Sequence, residues 1–119
     1  MIKIKLKDIT FYSGSNEEIY NKFLSSRILV APAASALADL EKKNEYYKAL
    51  KNSDIAILDS GFFCILLRTL KKIKVKKLSG YLFLNLFLNN VEKKSKILLI
   101  NPSEKSRLLN EKLLKKKKT

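Results

Sequence analysis

The sequence predicts an α/β fold: a three-layer, mostly parallel sheet with helices on both faces, Rossmann-like in outline. Three observations carry this expectation. Short apolar runs recur at 28–30, 55–58 and 97–100, each bounded by charged or turn-forming residues. Helical stretches of roughly ten residues separate them, the alternation that builds a parallel sheet. The run Ile55-Ala56-Ile57-Leu58 is apolar at both parities, as a central strand covered on both faces must be.

In order along the chain, residues 2–6 alternate Ile/Leu with lysine, the period-two pattern of a half-buried strand. Residues 8–12 either continue it or form a second strand. Ser13-Gly14-Ser15 breaks the pattern, and Ser15 with Glu18 fits a capping box, each side chain satisfying an N–H at the start of a helix. That helix reaches about Ser25, with Ile19, Phe23 and Leu24 on its apolar face. A short buried strand is expected at 28–30, ended by Ala31-Pro32-Ala33-Ala34. Helices are then predicted over 35–42 and from Asn44 through Tyr46, Tyr47 and Leu50. After the strand at 55–58, Asp59-Ser60-Gly61 turns into a helix over 62–70. Residues 71–77 hold five lysines around Ile73 and Val75, an edge strand or an extended loop. A largely buried helix over 79–91 and a last strand at 97–100, introduced by Lys96, follow. Asn101-Pro102-Ser103-Glu104 reads as a helix start, with Asn101 as cap and proline in the first turn. The final helix covers 103–115. Chains of this architecture usually add strands after such a helix, so the sequence reads as a truncated copy or as a sheet completed by a partner chain, such as a homo-oligomer.

The composition narrows the chemistry. The chain has 119 residues, room for a single α/β domain over 1–119, and 46% of them are hydrophobic. It contains no histidine and one cysteine, Cys64, so histidine acid–base chemistry, an internal disulfide and a thiolate metal cluster are all excluded. No metal and no cofactor is expected. Cys64, between Phe63 and Ile65, reads as a small buried hydrophobe. The longest uncharged run, 78–91, has 14 residues and three asparagines, short of the ~20 apolar residues a membrane span needs. The net charge is +14, and residues 68–119 carry sixteen Lys/Arg against three Asp/Glu. Such a surface attracts nucleic acid, anionic lipid or a phosphorylated ligand. Aromatic residues for base stacking are absent from 71–77, which disfavours nucleic acid. Lys71, Lys72, Lys74, Lys76 and Lys77 are the candidate contacts to an anionic surface, since each lysine near anionic lipid adds about 1 kcal/mol; the competing reading is a plain solvated face.

Asp59 is the first candidate for chemistry. It stands at the carboxyl end of a buried strand, where ligands of open α/β sheets bind, and a carboxylate there can take a proton from a hydroxyl nucleophile. The competing reading is that Asp59 or Ser60 caps the following helix. Asp54, at the opposite end of the strand, lies some 16 Å away at ~3.3 Å per residue and cannot pair with it. Residues 31–35 follow the preceding strand and can line the same crevice, where Ser35, the polar member, either touches a ligand or caps a helix. Asn101 and Ser103 form a helix start able to hold a phosphate or simply to cap. Glycine-rich phosphate loops are excluded by a total of three glycines.

The stretch from Ile28 to Gly80 resembles the WecG/TagA/CpsF glycosyltransferase family, which includes bacterial N-acetylmannosaminyltransferases. The likeness is carried in order by Tyr46-Tyr47-Lys48-Ala49-Leu50, by Ser53-Asp54-Ile55-Ala56-Ile57-Leu58-Asp59-Ser60-Gly61, by Lys77-Leu78-Ser79-Gly80, and by Ile97 to Ser103 as the next strand and turn. It implies transfer of a sugar resembling N-acetylmannosamine from a UDP donor to a polyprenyl-diphosphate-linked acceptor in surface polysaccharide synthesis. It further implies a cytoplasmic location at the inner face of the membrane. It places the general base on Asp59 and substrate contacts at Ala31, Ala33, Ser35, Ser60, Gly61, Gly80, Asn101 and Ser103. The family's Thr-x-Asn motif falls on Ala31-Pro32-Ala33, so both its polar groups are missing here, and the family extends well past the position of Thr119. The alternative is a non-catalytic, C-terminally truncated relative that binds a phosphorylated ligand, an anionic surface or a partner chain.

Overall fold

The computed structural model describes residues 1–33, 37, 42 and 44–118. The chain divides into two compact units, Met1–Leu84 and Asn85–Thr119. The first is a small mixed α/β domain. Its elements are β1 (Ile2–Leu6), β2 (Ile9–Ser13), α1 (Asn16–Leu24), β3 (Leu29–Val30), α2 (Asn44–Lys51), β4 (Ile55–Ile57) and α3 (Gly61–Leu70). Helix α4 (Gly80–Asn90) begins in the first unit and ends in the second, which also holds α5 (Glu104–Lys118).

The sheet has four strands in the order β1-β2-β4-β3. β1 and β2 form an antiparallel hairpin, with Leu6 opposite Ile9, while β2–β4 and β4–β3 are parallel. Residues 8–12 thus yield a second strand rather than a continuation of the first. The two residues between, Lys7 and Asp8, both take positive φ, 48° and 62°. That is the turn whose twist matches a two-residue hairpin, made here without glycine or asparagine. The Tyr47 hydroxyl donates to the Lys7 carbonyl at 2.9 Å and ties α2 to this turn.

β4 lies between β2 and β3, and all of Ile55, Ala56, Ile57 and Leu58 are buried. Because successive strand side chains point to opposite faces, burial at both parities means that both faces of β4 are covered. Ala56 and Leu58 join a core with Phe11, Leu50, Cys64 and Leu67. Ile19 of α1 is fully buried, and the α1 rings of Tyr20 and Phe23 meet Phe83 of α4 at 6.2 and 5.3 Å between centroids.

Several expectations are corrected. Residues 28–30 form a strand only at Leu29–Val30, which is half-buried, and Ile28 is exposed. The cause is position: β3 is the sheet edge. Leu24, expected on the apolar face of α1, is exposed. Residues 71–77 form a loop, so of the two readings the extended loop holds. α4 is not largely buried: Tyr81, Leu82 and Leu84 are exposed and Phe83 is its buried residue. Residues 97–100 are not a strand, and Leu98 and Ile100 are 87% and 91% exposed. An apolar run becomes a strand only where another strand pairs with it, and among the described residues none pairs with this one. The last helix starts at Glu104 with Ser103 as cap, the Ser106 N–H donating to Ser103 Oγ at 3.1 Å, so Asn101 is not the capping residue. The helix predicted over 35–42 falls largely on residues outside those described.

The predicted capping box of α1 is complete: Glu18 N–H donates to Ser15 Oγ at 3.2 Å, and Ser15 N–H donates to Glu18 Oε1 at 3.0 Å. Asp54 does similar work across the chain, its Oδ2 accepting the Arg27 and Ile28 amides at 2.8 and 2.9 Å. These amide donors favour the carboxylate form. They hold Glu18 down to about 2 from an ordinary 4.5, the Ser15 amide being the main cause. Asp54 is likewise lowered, by the Ile28 and then the Arg27 amide. A carboxyl group whose pKa is depressed by folding stabilises the fold fully above its ordinary pKa and loses that contribution as pH falls toward the folded value. A Glu18→Gln/Asp54→Asn double variant should therefore be less stable than the parent at neutral pH. The difference should close as pH drops from about 4.5 to about 2, as read by urea titrations followed by circular dichroism at stepped pH.

Candidate functional site

Asp59 lies just past the end of β4, after the buried Leu58, and its amide donates to the Ile57 carbonyl at 3.1 Å, which bends the chain off the sheet. The side chain is half-buried. Its Oδ1 accepts the Gly80 amide at 2.8 Å, the first N–H of α4. Helix starts leave such donors unmatched, and a carboxylate also suits the positive end of the helix dipole. Asp59 Oδ2 makes no hydrogen bond among the described residues. No buried side-chain oxygen or nitrogen lacks a partner among them, so Oδ2 reaches the surface. The result is an oriented carboxylate with one oxygen fixed and one open to a proton donor.

Ser60 is the cap of α3, its Oγ accepting the Phe63 amide at 3.2 Å. Between the two readings, Ser60 caps its own helix and Asp59 anchors a different one. Gly61 has room for a side chain, since an added Cβ would meet Lys77 only at 3.8 Å. Gly80 is different: a Cβ there would sit 3.3 Å from that of Ala31. This close approach joins the loop after β3 to the start of α4. Ala31, Asp59 and Gly80, distant in sequence, are therefore adjacent. Ala31 and Ala33 are exposed and bring no polar side chain. Ser35 lies outside the described residues. Asn101 and Ser103 belong to the second unit: Asn101 Oδ1 accepts from Asn110 Nδ2, within α5, at 2.6 Å, and Ser103 caps that helix.

The five lysines of 71–77 are all exposed, but they do not share one surroundings. Lys72 takes a left-handed turn (φ 52°) just past α3, and the Ile73 amide closes onto the Leu67 carbonyl. The chain then passes along the carboxyl ends of the strands. The Lys76 amide donates to Ser13 Oγ at 2.6 Å, at the end of β2, and the Leu78 amide donates to the Leu58 carbonyl at 3.0 Å, beside the end of β4. Lys74 and Lys76 line a hollow of about 550 Å³ with Arg68, Ser13 and Gly14. Lys71 instead borders an almost wholly apolar hollow of about 270 Å³ between α3 and the β1–β2 hairpin. Asp59 is not among the residues lining either hollow.

Sequence reasoning missed Arg68 and Ser13. Arg68 is the lone cation of an apolar helix, and Ser13 is the last residue of an alternating strand. Neither carries a local signal of the contact that folding gives it. The Asp59–Gly80 bond also has no local signal, although each residue is a candidate by itself.

Cys64 is buried in the core, and desolvation pushes its thiol above the ordinary value. A disulfide reagent such as DTNB should label it slowly in the native chain and within the mixing time in denaturant. Fast native labelling would contradict the packing. Among the described residues no group of three His, Cys, Asp or Glu side chains could hold a metal ion, and no helix is long and apolar enough to cross a membrane. Comparison with protein-family models, curated proteins and solved structures finds no match for this chain.

Proposed function

We propose that the chain is a glycosyltransferase-like domain of the WecG/TagA/CpsF type, with the three-layer Rossmann-like arrangement that the type implies. It would move a sugar resembling N-acetylmannosamine from UDP to a hydroxyl of a polyprenyl-diphosphate-linked acceptor, at the cytoplasmic face of a membrane. The observation that supports this most is the Asp59 carboxylate, fixed through Oδ1 by the Gly80 amide and open at Oδ2. It stands at the end of a parallel central strand, against the Ala31 loop.

In this reading Asp59 Oδ2 takes the proton from the acceptor hydroxyl. The acceptor oxygen bonds to the anomeric carbon while the bond from that carbon to the UDP phosphate oxygen breaks, and UDP leaves with the electron pair. A general base needs only hydrogen-bond reach of the proton it removes. The alternative, a non-catalytic relative that binds a phosphorylated ligand, an anionic surface or a second copy, draws support from Ala31 and Ala33. These bring no polar side chain to a position where the family carries two.

The test is transfer from UDP-N-acetylmannosamine to a polyprenyl-diphosphate-linked acceptor by the purified chain and by Asp59→Asn. Transfer by the parent that is lost in the variant supports the base. Equal rates remove the assignment, and no transfer with any UDP-sugar favours the non-catalytic reading.

A further inference from the structure

We infer that the hollow between α3, the end of β2 and the loop 74–76 is a binding site for a diphosphate group. Three cationic side chains line it, Arg68 from α3 and Lys74 and Lys76 from the loop, and Met1, whose ammonium is paired with Glu18, also borders it. No carboxylate lines it. Glu18 of α1 lies beside Gly14, and its carboxylate is paired with the Met1 ammonium at 3.1 Å. Three like charges around one concavity make a region of focused positive potential that a multiply charged anion relieves.

The site is built rather than merely basic. Val75 is buried between the exposed Lys74 and Lys76, so the loop is fixed to the domain by its middle residue. Ser13 Oγ holds the same loop, accepting the Lys76 amide at 2.6 Å and donating to the Lys76 carbonyl at 3.4 Å. Arg68 clamps it from the other side, with Nε and Nη2 donating to the Val75 carbonyl at 3.1 and 2.6 Å. A guanidinium has five N–H donors in a rigid fork, so three remain for a ligand while its orientation is set by the other two. The volume of about 550 Å³ falls within the ~300–1,000 Å³ of small-molecule sites. A flat membrane surface needs no such concavity, and lysines reach it without being fixed in place. The hollow also lies at the carboxyl end of β2, the edge of the sheet where α/β domains take ligands.

This inference rests on the cations and their anchoring, not on glycosyl transfer, and its test is separate. Isothermal titration of the full chain with inorganic pyrophosphate is expected to show one saturable site that weakens as salt is raised. Lys74→Gln and Lys76→Gln should each weaken it about tenfold, the usual worth of a charge-assisted hydrogen bond. Both side chains are exposed, so circular dichroism melts should be unchanged and the loss attributable to the ligand. Asp59→Asn should bind pyrophosphate like the parent. UDP in solution and vesicles doped with a polyprenyl diphosphate distinguish a soluble from a lipid-borne source, and binding of either that pyrophosphate displaces supports the site. Absence of saturable pyrophosphate binding, full binding by the Lys74→Gln/Lys76→Gln double variant, or association with phosphatidylglycerol vesicles that pyrophosphate does not displace would overturn it.

Discussion

Replacing Phe11 with alanine is expected to destabilise the first unit by about 3–5 kcal/mol, the usual cost of emptying a buried aromatic site. Phe11 is 1% exposed, sits on β2 beside the central strand and packs on Phe63 of α3 with centroids 5.8 Å apart. It therefore joins the sheet to the helix that follows Asp59. A domain of this size is stable by only ~5–15 kcal/mol, so the variant should be near the limit of folding at room temperature. Urea denaturation followed by circular dichroism measures it. Leu98→Ala is the matched control: the side chain is 87% exposed, and its loss should change stability by less than about 0.5 kcal/mol. Equal effects of the two would mean that the sheet does not pack as described.

Loss of the Asp59 charge is expected to cost transfer at least about 100-fold, the lower bound for general-base catalysis, while leaving the fold in place. The reason lies in the Gly80 bond. Asparagine keeps an oxygen that can accept the Gly80 amide, so Asp59→Asn removes the base and retains the anchor. Asp59→Ala removes both and leaves a helix-start N–H without its carboxylate partner, a further loss of about 0.5–2 kcal/mol in stability. The pair separates two roles that a single variant would confuse. Rates unchanged in Asp59→Asn but stability reduced in Asp59→Ala would make Asp59 a structural anchor and nothing more. Reduced rates in Asp59→Asn at unchanged melting temperature would identify a group acting on the reacting atoms.

Much of the first unit was legible because its signals are local. Alternation of Ile with Lys announced β1, Ser15 with Glu18 announced the capping box, and an unbroken apolar run announced β4. What was not legible depended on neighbours. Residues 28–30 and 97–100 look alike in sequence. The first pairs with β4 through Leu29 and Val30 and sets its Ile28 amide on Asp54, while among the described residues no strand pairs with the second, and Leu98 and Ile100 are exposed. In the candidate site, Asp59 and Gly80 were each marked from sequence, yet the bond between them spans 21 residues and has no local trace.

The sequence by itself determined β1, the capped start of α1, the buried identity of β4 and Cys64, and the placing of a carboxylate at a strand end, because each follows from patterns a few residues long. Only the tertiary structure decided which lysines act together. It set Lys74 and Lys76 beside Arg68 and left Lys71 at a separate, apolar hollow. The physical reason is that one hydroxyl, Ser13 Oγ, and one carbonyl, that of Val75, fix the loop against segments far away in the chain, and no spacing rule along a sequence encodes such a contact.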